Sequence, residues 1–301
     1  MSKFRFNRMD IMRLIHCFGL PDIVLTPERT RCSSVEAVCI LLRRLAVADR
    51  WIDIIDLFGR SISAMSNIFL FTIDHLHARF KRILYLDHDR VAQRLQTFCD
   101  AIKCKGAEID NVWAFIDGTV RACSRPLNSA AQRSVYNGHK RKHSLKFQTL
   151  VTPDGIIVHV FGPVEGRRHD LTILRRSKLE TALKNDQRFR GYIIFGDPAY
   201  GRSEQFASPF SGSRINAAQH EVNKSMSRVR VSIEWSYSQI IRYWSHLENR
   251  HKMCIGKSPI SKIYKIAILL TNCVTCCRRG NTNSSYFRLN PPELEEYLQS
   301  P

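Results

Sequence analysis

Three acidic residues stand at positions from which they could reach one place in the fold. Asp117 comes directly after the apolar run at 112–116, and Asp197 follows a second apolar run at 192–195. Short apolar runs of this kind predict buried strands, and the active sites of open mixed sheets gather at the carboxyl ends of strands. Glu234 lies in a segment with helical spacing and borders its apolar stripe. The sequence therefore predicts three carboxylates that converge at one edge of a sheet.

Three such carboxylates suit Mg²⁺ or Mn²⁺, because these hard cations take oxygen ligands. Two ions about 4 Å apart can flank one phosphorus, where one activates the attacking oxygen and the other stabilises the leaving oxygen. The smallest set of acidic ligands for two such ions is one Asp that bridges them and one further acid on each ion. Each acid also has a simpler explanation, since an Asp before Gly is often a turn residue and a helical Glu is often a solvated surface charge.

A strongly basic segment follows the first of these acids. It would lie near the active edge, where its cations could meet phosphates and Tyr136 could stack on a base or sugar. A second basic group comes after the predicted hairpin at 145–161. The residues predicted to contact DNA are Arg133, Tyr136, His139, Lys140, Arg141, Lys142, Lys146, Arg167 and Arg168. The alternative is a solvated, charged loop.

His169 and Asp170 follow the second basic group. We expect Asp170 to be the N-cap of the next helix rather than a metal ligand, because Asp is a preferred N-cap residue. His169 would contact substrate or fix the loop. The pair is therefore an accessory part of the predicted site.

The elements that must position these residues change in type near residue 109. Beyond it, strands are predicted at 112–116, 145–151, 156–161 and 192–195, and the turn Thr152-Pro153-Asp154-Gly155 predicts a hairpin between the second and third. Helical spacing covers 171–183, 225–247 and 260–277. The catalytic domain is expected at 109–279, and a loose tail at 280–301.

Residues 1–108 are predicted to form an all-helical region. Ser33 is expected to cap one helix, with Glu36 at the third helical position, and Ser61 the next. The short helix at 51–58 is expected to stop at Gly59. A short helix, a turn with Gly and a second helix have the outline of a helix-turn-helix. Two packed helices without DNA contact are the alternative.

The composition favours a polyanionic partner. The chain has 46 Lys and Arg against 27 Asp and Glu, a formal net charge of +19, and neutralised phosphates release counterions. A soluble, charged surface is the simpler explanation. No uncharged apolar run approaches 18 residues, so no membrane span is expected. The ten cysteines are expected to be reduced and mostly buried, because no zinc-site spacing completes their late cluster.

Several short motifs, taken together, resemble the PIF/Harbinger family of DDE transposases. The similarity also takes in Leu57-Phe58-Gly59-Arg60-Ser61 and Leu270-Thr271-Asn272-Cys273, so it covers nearly the whole chain. The main motifs are Phe115-Ile116-Asp117-Gly118-Thr119, Gly138-His139-Lys140-Arg141, Gly166-Arg167-Arg168-His169-Asp170, Gly196-Asp197-Pro198-Ala199-Tyr200 and Val229-Arg230-Val231-Ser232-Ile233-Glu234-Trp235. The segment at 166–168 departs from the glycine-rich segment that the family often has there.

This resemblance implies an α/β fold, namely an RNase H-like mixed sheet flanked by helices. It implies a D-D-E triad at Asp117, Asp197 and Glu234, with Mg²⁺ or Mn²⁺ as cofactor and transposon-end DNA with terminal inverted repeats as substrate. It also implies a nuclear protein, or a cytoplasmic one without its partner, and a Myb-like accessory protein that supplies DNA binding and nuclear import. Cutting paired ends implies a homo-oligomer.

Two other functions use the same features. A domesticated transposase that binds DNA without cutting it would explain the charge, although three acids near phosphate repel one another and the DNA unless metal is bound. An RNase or RNA-binding protein would use the same fold and charge.

Overall fold

The computed structural model describes residues 3–249 and 253–299. The first third of the chain contains mainly helices. Its elements are α1 (Arg8–Phe18), β1 (Ile23–Leu25), β2 (Arg31–Ser33), α2 (Ser34–Ala46), α3 (Ile55–Phe58), α4 (Ile62–Tyr85), α5 (His88–Ala92) and α6 (Leu95–Cys104).

The N-terminal region is not all-helical as predicted, because β1 and β2 form an antiparallel hairpin between α1 and α2. Each strand has three residues and buries only its central side chain, Val24 or Cys32. The backbone N–H of Thr26 donates to the carbonyl of Thr30 at 3.0 Å and closes the turn. Strands this short do not show a period-2 pattern long enough to be recognised in the sequence.

Both predicted serine caps are confirmed. The Ser33 hydroxyl accepts from the backbone N–H of Glu36 at 3.1 Å, and the Ser61 hydroxyl accepts from the N–H of Ala64 at 3.3 Å. Glu36 does not complete a capping box, because its carboxylate binds the Arg60 guanidinium instead. This ion pair joins α2 to the turn before α4.

The predicted short helix, glycine turn and second helix are present. The first helical segment, Ile52–Phe58, ends at Gly59 in the left-handed conformation, and the chain bends by 84° before α4. Helix α4 buries an apolar stripe against α2, α12 and the sheet. Contact of these helices with DNA remains a prediction.

The middle of the chain forms one six-stranded mixed sheet. Its elements and those that follow are β3 (Val112–Ala122), α7 (Ser129–Val135), β4 (Tyr136–Asn137), β5 (Lys142–Val151), β6 (Ile157–Glu165), α8 (Asp170–Ser177), α9 (Leu179–Asn185), β7 (Ile193–Phe195), β8 (Phe206–Ala207), α10 (Ala217–Arg230), α11 (Ser232–Tyr243), α12 (Ile260–Cys277), α13 (Thr282–Phe287) and α14 (Leu294–Leu298). The predicted hairpin of β5 and β6 is confirmed.

Strand β3 lies at the centre of the sheet. It pairs antiparallel with β5 on one side and parallel with β7 on the other. Strand β8 continues the sheet parallel to β7, while β4 and β6 pair antiparallel with β5. Residues 112–116 of β3 are all buried. Helices α4, α6, α8, α11 and α12 contact the strands and flank the sheet.

Two predicted helices are interrupted. The segment predicted as one helix at 171–183 divides into α8 and α9 at Lys178, whose φ of 56° is left-handed. The segment predicted at 225–247 divides into α10 and α11 at Val231. Val231 lies in a run with Val229 and Ile233, and β-branched residues have low helix propensity.

Helix α12 is long and apolar enough to cross a membrane, but 78% of it is buried inside the protein. It contacts α4, β6, α11 and α14. The segment after it is not loose as predicted. It forms α13 and α14, and Leu294 and Tyr297 are buried in the same apolar core as the rest of the chain. Residues 300–301 of the predicted tail lie outside the described residues.

If α14 is part of the core, Leu294→Ala should lower the free energy of unfolding by about 2–5 kcal/mol, because it leaves a cavity. Leu127→Ala is the matched control, since Leu127 is 99% exposed and its loss should cost less than about 0.5 kcal/mol. Urea unfolding followed by circular dichroism measures both. Equal midpoints for the two variants would show that α14 does not contribute to the core.

Candidate active site

The two aspartates lie side by side on neighbouring strands. In the parallel pairing of β3 with β7, Phe115 is opposite Phe195, and each aspartate comes two residues later. Side chains two residues apart share a face of a sheet, and neighbouring strands are about 4.8 Å apart. Asp117 and Asp197 are therefore neighbours on one face, and the charge of Asp197 is close enough to raise the pKa of Asp117.

Asp117 lies within its strand rather than at the end predicted for it. Strand β3 runs on to Ala122, because pairing with β5 continues from Thr149, opposite Asp117, to Ser144. The apolar run stops at Ile116, so the sequence pattern ended too early. Asp197 follows the second apolar strand as predicted, two residues beyond the last residue of β7, and its carboxylate accepts from the N–H of Ala199 at 3.0 Å.

Burial raises the pKa of both carboxyl groups. The pKa of Asp117 rises from 3.8 to about 6, chiefly through desolvation, and the charges of Asp197 and Asp170 add to the rise. The Gly118 N–H, which donates to Asp117 at 2.8 Å, opposes it. The pKa of Asp197 is also raised by burial, followed by the charge of Asp170. Both sites thus favour a cation that would offset the repulsion.

A third carboxylate, Asp170, adjoins the pair. A Cβ on Gly118 would lie 2.6 Å from its Oδ1 atom, so glycine at this position allows the close approach. The prediction that Asp170 is an N-cap was wrong. His169 occupies the cap position, without a side-chain cap bond, and Asp170 is the first helical residue. Its carboxylate accepts instead from the Lys146 ammonium at 3.0 Å.

Arg230 is a functional candidate that sequence reasoning missed. It is the last residue of α10, and its positive charge lowers the pKa of both Asp117 and Asp197. The charge of Lys146 acts on Asp197 in the same direction. Arg230 lies four residues before Glu234 in the same motif. This position in the motif is the signal that could have identified it from the sequence.

Helix α11 is held over the first aspartate by Tyr237. The Tyr237 hydroxyl donates to the backbone carbonyl of Asp117 at 3.0 Å and shares a 2.7 Å hydrogen bond with the Thr149 hydroxyl. Glu234 lies three residues before Tyr237, and residues three apart share a helix face. The helix carrying Glu234 is therefore at the site, but the Glu234 side chain is exposed and no described contact joins it to the aspartates.

Tyr200 is a second residue that the sequence did not single out. It is 3% exposed, and its hydroxyl has no hydrogen-bond partner among residues 3–249 and 253–299. The charges of Asp170, Asp117 and Asp197 act on it, and its pKa is raised well above 10, mainly by burial. Within the described part of the chain, the hydroxyl is therefore a buried, unsatisfied donor that feels the charge of all three aspartates.

The two predicted basic groups lie together. The Asn137 amide donates to the carbonyl of Gly166 at 2.8 Å and joins the turn between β4 and β5 to the loop before α8. Lys146 is half-buried against Asp170, and Arg168 is half-buried and 3.6 Å from Glu165. The remaining predicted contact residues are exposed, namely Arg133, Tyr136, His139, Lys140, Arg141, Lys142 and Arg167, and so is His169.

The donor chemistry of the site fits a hard divalent cation in part. The carboxylates of Asp117, Asp197 and Asp170 offer only oxygen, which Mg²⁺ and Mn²⁺ prefer. However, no group of three or more His, Cys, Asp or Glu side chains within residues 3–249 and 253–299 is arranged to hold one ion. A metal would therefore find an aspartate pair in place and would need further ligands to move toward it.

Asp117→Asn should stabilise the metal-free protein at pH 8 by about 1–3 kcal/mol. The folded pKa of about 6 exceeds the ordinary value of 3.8, so the stability associated with this group is present below about pH 4 and lost as pH rises through 6. Urea unfolding in chelator at pH 5 and pH 8 measures the difference. Asp22→Asn, at an exposed carboxylate, should leave the pH dependence unchanged, and an equal effect of both variants would contradict the assignment.

Comparison with known families assigns the part of the chain that carries this site. The profile of the DDE superfamily endonuclease family matches residues 116–272 of the 301, a range that includes all four acids described above. No curated protein and no solved structure matches the chain. The match covers the central sheet from Ile116 and most of α12, so it describes the catalytic core of a transposase-like nuclease. The chain belongs to the DDE superfamily endonuclease family.

Proposed function

We propose that this protein is a metal-dependent DNA endonuclease of the PIF/Harbinger type that cuts and joins phosphodiester bonds at transposon ends. The observation that carries the proposal is the pair Asp117 and Asp197, which are neighbours on adjacent strands within the segment that matches the endonuclease family. Their raised pKa values and oxygen-only chemistry support a cation-binding role.

The proposed fold is RNase H-like. The support is the mixed sheet, in which three strands in antiparallel order, β6, β5 and β3, continue into the parallel strands β7 and β8, with helices packed against the strands. This order places the carboxylates of two strands from different parts of the chain beside one another.

In this proposal Asp117, Asp197 and Glu234 hold Mg²⁺ or Mn²⁺. Asp117 and Asp197 are already neighbours, and Glu234 lies on the first turn of α11, which Tyr237 holds against Asp117. When bound, divalent metal supplies charge stabilisation to the attacking and leaving oxygens. The charge of Arg230 opposes part of the rise in the pKa of both aspartates, which favours the ionised form that a cation requires.

The proposed substrate is double-stranded DNA with terminal inverted repeats. The exposed basic residues of the turn between β4 and β5 and the loop before α8 would contact its phosphates, because the Asn137 contact brings these two segments to one side of the sheet. A homo-oligomer that pairs two ends, a Myb-like accessory protein and a nuclear location complete the proposal.

The purified chain, with magnesium and a duplex that carries the terminal repeats flanking its gene, should release defined cut products, and Asp117→Asn should abolish them. Gel analysis of end-labelled DNA measures the cuts, with Asp22→Asn as the control. Cleavage by a clean preparation of Asp117→Asn would refute the proposal. Binding of equal strength in chelator and in magnesium, without any cut, would instead identify a silent domesticated DNA-binding protein.

A second experiment tests which acid completes the triad. Glu234→Gln should abolish cleavage, whereas Asp170→Asn should lower it by about 10–100-fold, the effect of losing a group that orients the ligands. The magnesium-induced rise in melting temperature should vanish in Glu234→Gln and persist in Asp170→Asn. The reverse order of effects would transfer the ligand role to Asp170.

A further inference from the structure

A basic pocket lies at the end of β3, away from the aspartate pair. It is a cavity of about 430 Å³, and one of its lining residues is Ala122, the last residue of β3. Its other lining residues are Cys123, Ser124, Arg125, Arg141, Lys142 and His143. Arg125 and His143 were not among the residues that the sequence predicted to contact DNA.

The backbone around this pocket is fixed. The N–H of Cys123 donates to the carbonyl of His143 at 3.0 Å, which extends the pairing of β3 and β5 beyond Ala122. The side chain of buried Asn137 accepts from the N–H of Lys140 at 2.9 Å and fixes the turn. Arg141 has a left-handed φ of 51°, a conformation that non-glycine residues keep only where their surroundings require it.

The side chains that line the pocket are mainly basic. Within residues 3–249 and 253–299, none of Arg125, Arg141, Lys142 and His143 forms an ion pair with a carboxylate. The Arg125 guanidinium instead donates to the neutral Gln132 amide at 3.0 Å. This bond orients the guanidinium without cancelling its charge. Exposed His139 and Lys140 lie next to the pocket in the same turn, so the positive surface continues beyond one small ligand.

We propose that this pocket binds a phosphate group of the DNA backbone about five base pairs from the phosphate that is cut. Five residues separate Asp117 from Ala122 along β3, which is about 17 Å at about 3.3 Å per residue. The rise of duplex DNA is about 3.4 Å per base pair. If the duplex lies along β3, the distance between Asp117 and Ala122 corresponds to about five base pairs. The inference rests on the proposed function, since it takes the scissile phosphate to lie at Asp117.

The chemistry of the lining favours a phosphate of a polymer. Planar guanidinium groups bind phosphate oxygens in a bidentate manner, and the pocket has two of them. Four side chains that carry or can carry positive charge, with two more beside them, exceed what one small anion requires. A backbone phosphate held here would fix the register of the duplex relative to the aspartates without reading its sequence.

The salt dependence of DNA binding tests the pocket. Asp117→Asn protein in chelator would be titrated with a duplex of about 30 base pairs at several salt concentrations, so that cleavage does not intervene. Arg125→Ala and Arg141→Ala should each lower the slope of log K against log salt by about 0.9. Arg141→Lys keeps the charge and should keep the slope. Arg190→Ala is the matched control, since Arg190 is exposed just before β7, at the opposite end of the sheet.

The position is tested by a duplex with one neutral methylphosphonate. Placed five base pairs from the cut, the methylphosphonate should weaken DNA binding by the Asp117→Asn protein as much as the further substitution Arg141→Ala does. When Arg141→Ala is already present, the methylphosphonate should not weaken DNA binding further. Slopes for both alanine variants equal to that of Arg190→Ala would overturn the pocket. An equal effect of methylphosphonate at every position would also overturn it. If the unsubstituted protein does not cleave DNA but the salt slopes change as expected, the proposed nuclease activity would be contradicted and the phosphate pocket would not.

Discussion

The parallel pairing of β3 with β7 determines the rest of this site. It brings together two carboxylates that are 80 positions apart in the chain, on strands buried among apolar side chains. Desolvation then raises both pKa values, and the two charges repel. A fold holds such a pair only if the packing of the surrounding core offsets the free energy of burying and bringing together the two charges, or if a ligand neutralises them. Arg230 and Lys146 provide part of that compensation within the protein.

These compensating cations also limit what the site can do. Lys146 binds Asp170 directly, and Arg230 acts on both paired aspartates. The protein is strongly basic overall, yet three aspartates lie together at the place where a phosphate is proposed to react. Approach of DNA to that region therefore depends on cations, either those of the protein or bound metal, that screen the carboxylates. In the proposed function, the basic turn between β4 and β5 would draw the DNA to the sheet, and a counterion would have to screen the acids before the DNA comes closer.

Local signals in the sequence predicted much of the fold. The apolar run at 112–116, the turn at Thr152–Gly155 and the caps Ser33 and Ser61 depend on neighbouring residues, and all are present in the structure. The extension of β3 to Ala122 was not predictable in this way, because it depends on pairing with β5 and not on its own pattern. The burial of α14 was not predictable either, because it requires partners that are distant in the chain. The break at Lys178 also has no local signal in the sequence pattern.

The sequence predicted that Asp117 and Asp197 would come together, and it assigned Asp170 only an accessory place as a helix cap; the catalytic role of these residues stays a prediction. Asp170 fits the N-cap preference by type, but Lys146 on β5 and the space left by Gly118 draw it into the acidic cluster. The position of Arg230 depends on where α10 ends, and the burial of Tyr200 depends on the whole sheet. The place of Asp170 in the cluster and the burial of Tyr200 cannot be inferred from spacing along the chain, whereas Arg230 could have been noticed only through the motif that it shares with Glu234. The triad assignment of Glu234 stays a prediction.

The contact between α1 and α14 has a consequence for how the chain acquires its structure. The Arg13 guanidinium binds the Glu295 carboxylate through two bonds of 2.8 and 2.7 Å, across 282 positions. During synthesis, the first helix cannot meet this partner until residue 295 has left the ribosome. Domains dominated by distant contacts fold slowly and expose apolar surface meanwhile. We therefore expect the core to be completed only after α14 has been synthesised, and chaperones would have access to the nascent N-terminal helices until then.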